Sequence, residues 1–205
     1  ALKFMLLEDT EGKYFKLDDY KTLIKDTQTD KDDNLVVLYA TDKVAQYSYI
    51  KAATDKGYNV LVMDGQLDSA FVGMLEQKVE KSHFVRVDSD VIDNLIKKED
   101  AKDADVSEKQ RNVLTTLFKS QIPAIEKAEF TIAFANLAAD STPVVVTQSE
   151  YMRRMKEMAA LQPGMSFYGE FPDGYVITLN VIHHVVNTVL AASALDFNAQ
   201  VSPVE

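Results

Sequence analysis

Apolar and polar positions along this chain change rhythm twice. Leu2 to Leu7 make an apolar run too short to classify. "KLDDYKTLIK" (Lys16 to Lys25) then sets Leu17, Tyr20, Leu23 and Ile24 at helical spacing, with Asp18 as the expected N-cap. "DTQTDKDD" (Asp26 to Asp33) reads as a polar loop. From Asn34 the rhythm is that of a buried sheet. "NLVVLYATD", "YNVLVMDG" and "SHFVRVDSD" are β-branched and aromatic runs suited to strands covered on both faces. Between them, "KVAQYSYIKAATDKG" and "QLDSAFVGMLEQKV" read as helices. Gly57 is expected to end the first, and Leu67, Phe71, Met74 and Leu75 to share one side of the second. Strand and helix alternating in this way predict right-handed parallel crossovers and a small three-layer sheet.

The alternation stops at "IKKEDAKDADVSEKQ" (Ile96 to Gln110), which is charged and nearly free of large apolar side chains. It reads as a linker or an exposed helical connection. "SEKQRNVLTTLFKSQI" follows as a helix with Ser107 as N-cap and Val113, Leu114, Leu117 and Phe118 on one face; Pro123 lies just past its end. "AEFTIAFANL" and "PVVVTQ" are expected strands around a turn at "AADST". "TQSEYMRRMKEM" is a further helix ended by "QPG", then "GYVITLNV" is a strand and "HHVVNTVLAASAL" a final helix. The expected fold class is α/β plus α+β. A helical lead-in and a small parallel α/β subdomain occupy residues 1–98, and a mixed α+β domain occupies residues 106–205.

A chain of 205 residues suffices for one large domain or two small ones, each with its own core. The net charge of −10 argues against nonspecific nucleic-acid binding, which needs cations to displace phosphate counterions, and against docking on an anionic membrane. There is no cysteine, hence no disulfide framework and no thiol zinc site, which fits a reducing cytoplasm. No apolar run reaches membrane-spanning length. The opening "ALKFMLLEDTEGKYF" lacks an initiator methionine and reads as the interior of a longer sequence.

Candidate chemistry is sparse. The three parallel strands are followed by Asp42, Asp64 and Asp88, at the sheet edge where open α/β folds bind ligands. Converging carboxylates there would suit magnesium and phosphoryl chemistry. The plainer reading is that each caps a helix or opens a turn. No GxxxxGK[ST] loop accompanies them, and no GxSxG elbow or HExxH pair occurs. His183 and His184 are adjacent, so their side chains should diverge, and His83 stands alone.

The helix around Met152 carries more information. At about 100° per residue, Tyr151, Met152, Met155, Met158 and Ala159 fall within an arc of about 120°. Arg153, Arg154, Lys156 and Glu157 fill the other side, and Thr147 with Glu150 makes a capping-box pattern. An apolar stripe ordinarily faces a core. Methionine, unbranched and polarizable, also suits surfaces that must fit many shapes.

Several stretches, in order, resemble the bacterial heat-shock protein 90 chaperones of the high-temperature protein G type. "LDDYKTLIKDTQTDKDDNLVVLYATDK" and "KGYNVLVMDGQLDSAFVGMLEQ" are similar to the small subdomain that ends the family's middle domain. "TPVVVTQSEYMRRMKEMAAL" and "LNVIHHVV" are similar to its C-terminal domain. Where the family has proline after histidine, this chain has His184, and the tail "NTVLAASALDFNAQVSPVE" is more apolar than the family's charged helix.

The resemblance implies a piece of an ATP-dependent chaperone active in protein folding and the stress response. The parent would be a cytoplasmic homodimer that hydrolyses ATP with magnesium. The stretch covered here would lack the nucleotide domain and the catalytic arginine segment, so it would hold no cofactor or metal and have no ATPase activity of its own. Its partners would be unfolded or partly folded clients, with no nucleic acid or membrane. By position, Tyr151, Met152, Met155 and Met158 would face clients. The contrasting reading is a small phosphate- or metal-handling α/β enzyme using Asp42, Asp64 and Asp88.

Overall fold

The computed structural model describes residues 5–65, 67–96, 106–137, 141–148, 152–156 and 172–200, with backbone alone for 69, 93 and 194–200. The chain forms two compact units. One comprises Ala1–Glu99 with Gln148–Phe171, the other Asp100–Thr147 with Pro172–Glu205. The expected domains were consecutive in sequence. The compact units divide between Glu99 and Asp100, between Thr147 and Gln148, and between Phe171 and Pro172. The class is α/β plus α+β.

In the first unit, β1 (Leu6–Glu8) and β2 (Tyr14–Lys16) pair as an antiparallel hairpin that leads into α1 (Leu17–Ile24). Lys16, not Asp18, is the N-cap of α1, and its side chain makes no capping bond. Asp18 and Asp19 lie in the first turn, where their charge favours the positive end of the helix dipole. β3 (Leu35–Ala40), α2 (Tyr47–Asp55), β4 (Val60–Val62), α3 (Asp68–Lys78), β5 (Ser82–Arg86) and α4 (Ile92–Leu95) follow. The sheet runs β4-β3-β5, all parallel. Gly57 adopts φ +77° beyond α2, a left-handed conformation that glycine takes without steric cost.

β3 lies in the middle and is buried on both faces. Val37, Tyr39, Leu61, Val72, Leu75 and Phe84 pack on the α1 and α3 side. Val36, Leu38, Ala40, Ile50, Ala53 and Leu95 pack on the α2 and α4 side. Each fully buried large side chain contributes about 1.5–3 kcal/mol. Leu67 does not join the α3 stripe as expected. It stands 74% exposed, because it precedes the first turn of the helix, while Val72 and Val79 fill the side that meets the sheet.

The expected polar loop after α1 hides a fully buried Gln28. Its main-chain carbonyl accepts the Val36 N–H at 2.7 Å, its Nε2 donates to the Val36 carbonyl at 2.9 Å, and its Oε1 accepts the Asn59 N–H at 2.6 Å. β4 pairs with β3 only from Leu38 onward, so Gln28 satisfies the part of β3 that β4 does not reach.

In the second unit, α5 (Glu108–Gln121) begins at a complete capping box formed by Ser107 and Gln110. β6 (Ala128–Ala135), β7 (Val144–Gln148) and β8 (Asp173–Asn180) lie in the order β6-β8-β7, and α7 (His184–Gln200) follows. β6 and β7 are therefore not neighbours around the "AADST" turn. β8 lies between them, parallel to β6 over eight residue pairs. Asn180 secures this insertion from full burial. Its Oδ1 accepts the Leu137 N–H, its Nδ2 donates to Ser141 Oγ, and its own N–H donates to the Pro143 carbonyl. Leu114, Ile177, Leu179 and Val186 form the core. Leu117 faces solvent rather than this core.

Candidate functional site

Residues 152–156 form the described part of the methionine-bearing helix, here α6. Tyr151 and Met158, expected on the same stripe, lie outside the described residues, as does Glu150 of the expected capping box. Thr147 is a buried residue of β7. Met152 and Met155 are both half-buried. On a helical wheel Met152 and Met155 are separated by about 60°, and Arg153 and Arg154 lie diametrically opposite.

Those two arginines bind other elements of the first unit. Arg153 is 5% exposed, and its Nη2 donates to the Tyr39 hydroxyl at 2.7 Å. Its guanidinium carbon lies 5.9 Å from the Tyr39 ring centroid, within cation–π range. Arg154 Nη1 and Nη2 meet the Glu76 carboxylate at 2.6 and 3.1 Å, and Nη2 also donates to the Phe84 carbonyl at 2.6 Å. Glu76 in turn accepts the Phe84 N–H at 3.0 Å. The polar side of α6 is thus its docking side, held by Tyr39 of β3, Glu76 of α3 and Phe84 of β5. Nothing in the sequence singled out Tyr39 or Glu76. They are 114 and 78 residues from their arginine partners, beyond the reach of any local pattern.

At the carboxyl edge of the parallel sheet, Asp42 and Asp88 are engaged in structural bonding, while Asp64 is exposed. Asp42 accepts the N–H groups of Val44 and Ala45, both at 2.9 Å, and these two bonds hold its carboxyl below the usual range. Asp88 is paired with Arg86 by two bonds, and Gln148 receives a third from Arg86 while donating its N–H to the Asp88 carbonyl. Among the described residues no group of three or more acidic, histidine or cysteine side chains is placed to hold a metal.

The histidines do not diverge as expected. The rings of His183 and His184 lie 4.5 Å apart at 30°. His183 is buried, and its Nδ1 accepts the Val185 N–H at 3.1 Å, satisfying one of the free donors at the start of α7. The turn that precedes α7 folds both side chains together.

No family model matches the chain. Over its full 205 residues it is 55% identical to "Chaperone protein htpG" of Bacteroides fragilis and likewise to "Chaperone protein HtpG" of Bacteroides thetaiotaomicron. It is 51% identical over 191 residues to the Porphyromonas gingivalis protein of that name. The chain belongs to the bacterial HtpG family of heat-shock protein 90 chaperones. It spans 30% of the length of the Bacteroides HtpG relatives and 28% of the Porphyromonas one. Both compact units fall inside that HtpG stretch, since the match covers the whole chain.

Proposed function

We propose that this chain is the client-contacting and scaffold portion of an ATP-dependent chaperone, comprising the end of a middle domain (1–98) and much of a C-terminal domain (106–205). The observation that supports this best is the orientation of α6. Its arginines are consumed by Tyr39, Glu76 and Phe84, so the Met152 and Met155 side is turned away from the face that docks. Tyr151 and Met158 extend the same stripe in sequence. Methionine side chains adapt to irregular apolar partners at little conformational cost, which suits unfolded chains of varied sequence.

The residues present do not fit a nucleotide or its magnesium. A phosphate-cradling glycine loop is missing from the sequence, and the sheet-edge carboxylates Asp42 and Asp88 are already engaged by backbone donors and by Arg86. ATP hydrolysis, cytoplasmic location and homodimerisation belong to this reading of the intact protein, and no step of hydrolysis is assigned to this stretch. The test is to make Met155→Ala and Met158→Ala in the intact protein and measure suppression of aggregation of heat-unfolded malate dehydrogenase, alongside urea unfolding. Weakened protection with stability within about 1 kcal/mol of the parent is expected for a contact surface. Large destabilisation of both variants would make the stripe ordinary core.

A further inference from the structure

The two edges of the three-stranded parallel sheet are closed by different means. At the β4 edge the hairpin supplies backbone: Asp9 bridges Leu61, and the Thr10 N–H donates to the Val60 carbonyl at 2.9 Å. At the β5 edge no described strand follows. The direction of its free groups follows from the ladder. Leu35 donates to the Lys81 carbonyl, and Val87 donates to the Tyr39 carbonyl. Odd-numbered residues of this stretch therefore bond to β3, and even-numbered Phe84 turns its N–H and C=O to the open edge. A cleft of about 540 Å³ runs beside it, lined by Glu76, His83, Phe84, Val85 and Arg154 among others.

We infer that Glu76 and Arg154 act together as a side-chain surrogate for a missing strand, capping the β5 edge and thereby positioning α6. Phe84 offers the edge one donor and one acceptor. Glu76 supplies the acceptor for its N–H and Arg154 the donor for its C=O, and the two side chains are paired with each other. Gln28 does the same kind of work at the short end of β4, accepting from Asn59 and donating to Val36. An uncapped edge would invite pairing with any extended chain. The cap closes it with a residue of the methionine helix, so helix placement and edge protection are one event. The client-binding consequence rests on the function proposed above; the cap itself does not.

The arrangement differs from a plain ion pair in a way that can be measured. Amide hydrogen exchange at Phe84 and over residues 152–156 is followed in the intact protein, with exchange in β3 and circular dichroism as folding controls. Arg154→Ala is expected to speed exchange at both places by about tenfold or more. Arg154→Lys keeps the charge but not the fork, and is expected to lose several-fold protection. The swap Glu76→Arg with Arg154→Glu restores opposite charges but sets a donor against the Phe84 N–H and an acceptor against its carbonyl, so protection should stay low. Return of the swapped protein to parental exchange would reduce the contact to an ion pair and overturn the cap, as would parental exchange in Arg154→Ala or Arg154→Lys. The same variants are assayed for protection of heat-unfolded malate dehydrogenase. Lost Phe84 protection with full client protection would uphold the cap and overturn the client role of α6.

Discussion

α5 and α6 carry the same kind of amphipathic signature and dock by opposite faces. α5 begins at its own capping box, Ser107 with Gln110, and turns Leu114 into the core of the second unit. α6 presents its polar side to β3, α3 and β5 of its own unit through Arg153 and Arg154, with two methionines opposite. A helical period reports that two faces differ; it does not report which one finds a partner. What decides for α6 is that the first unit offers a buried tyrosine hydroxyl, a carboxylate and an open strand edge, all of which need donors. Two adjacent guanidiniums supply them, and their alkyl stems carry apolar surface into the contact.

Truncating the two stripes tests this contrast most directly. Leu114→Ala removes a fully buried side chain and is expected to cost about 2–5 kcal/mol in urea unfolding. Met155→Ala should cost about 1 kcal/mol or less. Equal losses would erase the distinction between the helices. Removing the polar anchor comes next. Arg153→Ala takes away a buried donor and leaves the Tyr39 hydroxyl without that bond, for an expected loss of about 1–3 kcal/mol. Tyr39→Phe removes only the hydroxyl and should cost less than Arg153→Ala. A neutral Arg153→Ala would mean that α6 is not held by its polar side. The smallest effect is local to α5. Ser107→Ala deletes a solvent-exposed cap and should cost about 1 kcal/mol, while Ser107→Asp, an equally good cap, should restore it. A negligible loss in Ser107→Ala would show that packing through Leu114 alone sets where α5 starts.

Much of the first unit was legible because its signals are local. Unbroken apolar runs such as Leu35–Ala40 describe strands covered on both faces, and Gly57 marks a helix end through a backbone conformation that its neighbours would resist. Ser107 was legible for the same reason, since a cap and its partner lie three residues apart. Three other features were not legible. Leu67 and Leu117 have helical spacing yet face solvent: Leu67 precedes the first turn of its helix, and for Leu117 spacing does not say how wide the covered stripe is. The order β6-β8-β7 reverses an expected hairpin, because strand adjacency is set by pairing energy across the sheet and here by Asn180, about forty residues from the turn it secures.

By itself the sequence determined the fold class, the parallel alternation, the family and the existence of an amphipathic methionine helix. All of these rest on periodicity, on caps within one turn, or on stretches compared residue by residue. The tertiary structure alone decided which face of that helix docks, that Glu76 and Arg154 close the edge at Phe84, and that Gln28 is buried in a polar loop. Each of these depends on hydrogen-bonding groups left over after the sheet has formed. Such groups exist only once distant strands have been brought together.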